Sequence, residues 1–293
     1  FFRPLDGSTE VGRAIDAARS EGVAHVVPVG NLNVSQKSVV RSVGSTQPEP
    51  LGFEVPASVT ENGEERSVHE IFGSLQWVEE TDISMSLEAP GEEPVGIDFQ
   101  ARAGAGSEPK MTGGTENLAV GNARLRATFE VTDRGTHFVS FVLTARRADV
   151  PLDRGNWRFH LQARSEQAVV VGRITDRHTG WRRGVGWVNP TSDHMTVAYP
   201  ATTDAAVGVA AFAGRDGKGP PQLRPFSGRG PRLGGGRSVD IAAPDNPFVP
   251  LAATPGVRQA GGGESWFFEF GGTSGAAPHV AGALALLGQR AGS

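Results

Sequence analysis

The sequence predicts an α/β chain whose parallel sheet with flanking helices is interrupted by an inserted antiparallel β-sandwich. Three observations carry this prediction. Residues 11–22 place apolar side chains at helical spacing, stop at Gly22 and lead into an apolar strand, 23–29, that turns out at Gly30-Asn31. From Asn33 to His194, short period-two stretches alternate with Gly, Pro, Asn and Asp. Near the C-terminus, residues 271–282 pass from paired glycines through Thr273 and Ser274 into a helix rich in Ala and Leu. The expected division is 1–32 and 195–293 for the α/β unit and 33–194 for the insert.

Each element follows from its residues. Helix, glycine, apolar strand and Gly-Asn in succession describe a parallel crossover, with function expected at the C-terminal end of the strand. Pro28 would remove a ladder hydrogen bond unless its strand lies at a sheet edge. In the insert, strands are expected at 73–78, 82–87, 95–99, 125–131, 137–143 and 157–161. Acidic residues crowd the stretch from Glu61 to Glu93, and arginines from Arg124 to Arg183 fill a later one. They read as solvated strand faces that neutralise each other across a sheet. Trp77, Trp157, Trp181 and Trp187 read as buried aromatics more readily than as sugar-stacking platforms.

Composition excludes several classes. A formal net charge of -4 gives no general pull on nucleic acid, so no nucleic-acid partner is expected. The absence of cysteine rules out disulfides, thiolate metal sites and a cysteine nucleophile. No apolar run reaches the ~18 residues of a membrane-spanning helix. The first residue is Phe1, so the chain reads as a processed, excised or truncated piece. Asn33-Val34-Ser35 fits the glycosylation pattern, although nothing indicates a eukaryotic secretory route.

Ser274 stands where a helix begins, so unpaired N–H groups and the macrodipole would favour an oxyanion beside it. Pro278 is expected in the first turn, where its missing N–H costs little. Gly272, Thr273, Ser274, Ala276, Pro278, His279, Val280, Ala281 and Gly282 together resemble the serine motif of the subtilases, the subtilisin-like serine peptidases. The resemblance implies that Ser274 is the nucleophile and that His279 is not its base. It extends to Gly30-Asn31, similar to the family strand that ends in Ala-Ala-Gly-Asn, and so implies that Asn31 donates its amide N–H to the tetrahedral intermediate. For that donor in subtilisin, a member of the same family, removal costs about 10²–10³ in turnover. Val27-Pro28-Val29 departs from the family's small residues there. Residues 197–211, the loop Pro225-Phe226-Ser227-Gly228-Arg229-Gly230-Pro231 and the stretch 238–244 resemble three further family motifs, in the family's order. The insert resembles the jelly-roll domains of bacterial Csp-type subtilases.

Serine catalysis needs a base and a carboxylate to hold that base. None of His25, His69, His137, His160, His178, His194 and His279 lies in the family's His-Gly-Thr type of motif, which would precede this chain. The resemblance therefore implies a serine endopeptidase working through an acyl-enzyme, of which this chain holds the nucleophile and the oxyanion Asn but not the catalytic Asp and His. It would be part of a longer protease, one product of internal cleavage that stays with its other half, or a degraded gene product. The partners implied are a protein or peptide substrate and the N-terminal half of the same protease. The alternative is a catalytically inactive subtilase-fold binding protein, and a third reading makes the insert a carbohydrate- or protein-binding module. No cofactor is required. Many subtilases bind structural calcium, but no Asp-rich loop with ligand spacing is visible and metal ligands stay unassigned. A secreted or cell-envelope setting is the expectation.

Overall fold

The computed structural model describes residues 2–99, 114–180, 183–188, 194–214, 221–246, 248–250 and 267–292. Helix α1 (Glu10–Ser20) starts at Thr9, whose side chain accepts from the Gly12 N–H, and buries Gly12 and Ile15. It leads into β1 (Val26–Pro28), shorter than the predicted strand. Then come β2 (Ser38–Val43), β3 (Glu49–Val55), a small hairpin of β4 (Val59–Glu61) and β5 (Glu64–Arg66), β6 (Glu70–Trp77), β7 (Ile83–Glu88) and β8 (Val95–Ile97). The series continues with β9 (Gly114–Val120), β10 (Ala123–Val131), β11 (His137–Ala145), β12 (Gly155–Ala163), β13 (Ala168–Asp176) and β14 (Gly186–Trp187). After these follow β15 (Val207–Phe212), β16 (Ile241–Pro244), the pair β17 (Phe248–Pro250) and β18 (Phe267–Glu269), and helix α2 (Thr273–Ala291).

The chain is thus a mixed α/β protein with one parallel sheet and separate antiparallel sheets. The parallel sheet has the order β1-β15-β16. Pro28 is accommodated because β1 lies at its edge. Successive residues of β15 point to opposite faces. Ala210 packs with Ile15 of α1, Val27 and Val29, whereas Val209 and Ala211 pack with Ala276, Ala277 and Val280 of α2. Each face is therefore covered by one helix, as a parallel sheet requires.

Strands β2 to β14 supply the two large antiparallel sheets, ordered β2-β13-β6-β11-β10-β9 and β14-β3-β12-β7-β8. Their inner faces share one apolar core. Phe141 of the first meets Phe159 of the second with ring centroids 5.0 Å apart. Trp77, Trp157 and Trp187 are all buried in that core; Trp181 lies outside the described residues.

The six-stranded sheet is also covered on part of its outer face. Gln76 of β6 accepts from the Leu5 N–H and donates to the Arg3 carbonyl. Arg173 of β13 donates to the carbonyls of Met195 (2.6 Å) and Val197 (3.2 Å). This double burial explains why β13 escaped the prediction: Val170, Val171, Gly172, Arg173 and Ile174 are all buried, so no alternation marks the strand. The expected cross-sheet neutralisation holds for Arg158, which meets Glu88 on the neighbouring strand at 2.7 Å. It fails for Arg124 and Arg126, whose register partners are Ala119, Thr144, Asn117 and Val142.

Candidate active site

The C-terminal end of β1 and the N-terminus of α2 meet through Asn31 and Thr273. The Thr273 backbone N–H and its hydroxyl both donate to Asn31 Oδ1, each at 3.0 Å. A backbone N–H can only donate, so the atom facing it must be the amide oxygen. Asn31 Nδ2 is left as a donor with no partner among the described residues. The Thr273 hydroxyl also accepts from the Gly30 N–H at 3.1 Å. Gly272, the residue before α2, has φ 85° and ψ -180°. A Cβ at that position would fall 2.8 Å from Asn31 Nδ2, so only glycine serves there.

The Gly30-Asn31 turn is braced from a second side. Gly228 N–H donates to the Gly30 carbonyl at 2.9 Å, and Asn33 N–H to that of Phe226 at 3.1 Å. The Asn33 side chain is buried and donates to the Pro225 carbonyl at 2.7 Å. That bond leaves it inaccessible as a glycosylation acceptor. Buried Ser227 accepts from the Ala211 N–H at 3.1 Å. The loop 225–231 thereby ties β15 to the turn that carries Asn31.

Ser274 is the second residue of α2 and is exposed. Among the first four N–H groups of the helix, Thr273 donates to Asn31, and Gly275 and Ala276 donate to the Gly272 carbonyl. The Ser274 N–H alone has no acceptor among the described residues. An unpaired donor on the nucleophile candidate, at the positive end of a helix and next to a fixed Asn amide, can hold a developing oxyanion.

One detail differs from expectation. The helix begins at Thr273, so Pro278 falls in its second turn rather than its first. A proline there cannot donate to the Ser274 carbonyl four residues back, so that group also lacks its helical partner. Packing keeps the helix intact: Ala276, Ala277 and Val280 lie against the parallel sheet.

The histidines lie elsewhere. His25 immediately precedes β1, at the end opposite Asn31. His137 stacks on Trp77 at 5.1 Å, and burial lowers its pKa. His160 pairs with Glu88 at 2.6 Å and His178 with Glu61 at 3.0 Å, all within the antiparallel sheets and their hairpins. His69 precedes β6, and His194 follows the antiparallel sheets in the chain. His279 turns back to the Gly275 carbonyl of its own helix at 3.1 Å. No group of three or more His, Cys, Asp or Glu that could hold a metal ion occurs among the described residues.

Residues 149–293 match the model of the subtilase family. The fold is similar to that of the Clostridium perfringens CspB protease, with a TM-score of 0.69 and 18% sequence identity. That likeness covers 97% of this chain and 52% of the CspB chain, so the sequence spans about half the length of its structural relative. No curated protein matches the chain.

Proposed function

The chain belongs to the subtilase family, and from that membership we propose that it is the nucleophile-bearing portion of a serine endopeptidase. Ser274 Oγ attacks the peptide carbonyl. The resulting oxyanion is held by the Ser274 N–H and Asn31 Nδ2, and loss of the amine leaves an acyl-enzyme that water hydrolyses. The observation that carries this reading is the pair of hydrogen bonds from Thr273 to Asn31 Oδ1. They spend the amide oxygen on structure, so that Nδ2 remains as the donor this reading assigns to the oxyanion. No cofactor is needed for this chemistry.

The proton-handling His and Asp are supplied, in this proposal, by polypeptide outside residues 1–293. Two observations support that partner. Of the histidines, His137, His160 and His178 are engaged within the antiparallel sheets and their hairpins, and His279 is bonded to the Gly275 carbonyl of its own helix. The second half of α2 is also apolar and open, with Leu286 69% and Leu287 61% exposed, which suits a helix meant to be covered by further chain. We further assign the two antiparallel sheets to an inserted jelly-roll. The nested pairing supports it: β2 lies beside β13 and β6 beside β11 in one sheet, β3 beside β12 and β7 beside β8 in the other.

The second reading is an inactive subtilase-fold binding protein, favoured by the same placement of the histidines. The experiment that separates the two is intact-mass spectrometry after fluorophosphonate treatment, first of this chain and then of the chain with its upstream segment restored. The endopeptidase reading expects no labelling of the chain alone. It expects stoichiometric labelling of the restored protein, abolished by Ser274→Ala. A restored protein that stays unlabelled is a binding protein.

A further inference from the structure

The outer face of the six-stranded sheet carries a feature that the proposed chemistry does not use. On β10, Leu125 and Ala127 are buried, which turns Arg124 and Arg126 outward on the same face. Their register neighbours are Ala119 and Thr144 for Arg124, and Asn117 and Val142 for Arg126. None is acidic. With Arg146, they line a groove of about 530 Å³ that also has Phe72 and Val142 in its lining. Among the described residues, none of these three guanidiniums makes an ion pair. Glu70, also in the lining, is paired with Arg177 at 3.5 Å.

Clustered like charges on one sheet face cost stability unless something complementary covers them. We infer that this groove docks an extended acidic polypeptide segment. Side chains two apart on a strand repeat about every 6.8 Å, and so do those of an extended peptide laid alongside. Carboxylates at alternate positions of such a peptide therefore match Arg124 and Arg126, and each guanidinium can fork a carboxylate through two hydrogen bonds. Phe72 and Val142 receive apolar groups between them. A polyanion such as a sulfated glycan satisfies the charges but has no reason to carry them at a strand's repeat, so the peptide is the better fit. The inference does not depend on whether Ser274 is reactive.

The test is fluorescence anisotropy on the full chain with three labelled probes: a peptide alternating Glu and Val, its Lys-for-Glu counterpart, and a heparin oligosaccharide. The Glu peptide is expected to bind and to weaken as salt rises. Its affinity should fall at least about tenfold in Arg124→Glu/Arg126→Glu, with charge reversal turning attraction into repulsion. Arg19→Glu, on exposed α1, should leave it unchanged. Both variants sit on exposed side chains, and equal melting temperatures will show that they fold. The inference is overturned if the wild type fails to bind the Glu peptide, if the double variant binds as the wild type does, or if the Lys peptide binds equally. Groove-dependent binding of heparin without the Glu peptide would assign the site to a glycan instead.

Discussion

Thr273 and Asn31, 242 positions apart in the chain, are joined by two hydrogen bonds of 3.0 Å to a single amide oxygen. Thr273 itself is fully buried. Its hydroxyl also accepts from the Gly30 N–H, so one side chain fixes both the turn and the amide that follows it. The residue before the nucleophile candidate therefore anchors the Asn31 amide, the proposed oxyanion donor.

That relationship gives an ordered pair of predictions for the proposed complete protease. Asn31→Ala should lower kcat by about 10²–10³ with KM little changed, because the lost donor acts on the transition state. Thr273→Val keeps the backbone bond but loses the hydroxyl, leaving the Gly30 N–H without its acceptor. One such bond is worth about 1 kcal/mol, so kcat should fall roughly fivefold. Steady-state kinetics on a peptide substrate decide the matter. If Thr273→Val and the wild type share one kcat, the anchoring role is wrong.

Gly73 and Phe141 give a prediction for the antiparallel core. They are register partners on β6 and β11, and a Cβ built on Gly73 would come within 2.0 Å of the Phe141 ring. Phe141 is buried and in contact with Phe159 of the other sheet, so it has nowhere to retreat. Gly73→Ala should destabilise the chain by about 1–3 kcal/mol, read as a fall in melting temperature. Adding Phe141→Leu should recover part of the loss relative to the two single changes summed. Simple additivity of the two changes would mean the contact is not the cause.

The candidate residues Ser274 and Asn31 come to notice in the sequence because each stands in a local pattern. Ser274 stands in a contiguous run of small residues opening a helix, and Asn31 closes an apolar strand, so short windows disclose both. Several of the insert's strands were legible, among them β6, β10 and β12, whereas β2, β3, β9 and β13 were not. In β13 no alternation marks the strand, because Val171 and Arg173 are buried as well as their neighbours. Equally hidden were Thr273's grip on Asn31 and the unbalanced charge at Arg124 and Arg126. Each depends on a long-range pairing or a register that no window of sequence contains.

Lys37 and Asp176 are a further such pair, and they set a pH dependence. Both side chains are fully buried, with Lys37 Nζ 3.7 Å from Asp176 Oδ2 and 2.5 Å from the Val185 carbonyl. Burial pulls the Lys37 pKa down to about 8, against the opposing pull of Asp176. Burial would raise the Asp176 pKa, but bonds from the Thr179 hydroxyl and the His178 and Val185 N–H groups, together with Lys37, hold it below its usual value. It therefore stays ionised throughout the alkaline range. A cation whose folded pKa lies below its unfolded value binds fewer protons when folded between those two values. Stability from Lys37 should thus rise with pH from about 8 to 10.5, and the burial penalty should be fully present below that window. The shift corresponds to a total of about 3 kcal/mol. Lys37→Met removes the titration. It also takes one partner from Asp176, which keeps its other donors, so the variant should still fold. Urea unfolding of both proteins at several pH values across the window is the measurement. The stability of the wild type relative to Lys37→Met should increase with pH, and a difference that stays flat would show that Lys37 titrates as an ordinary surface lysine does.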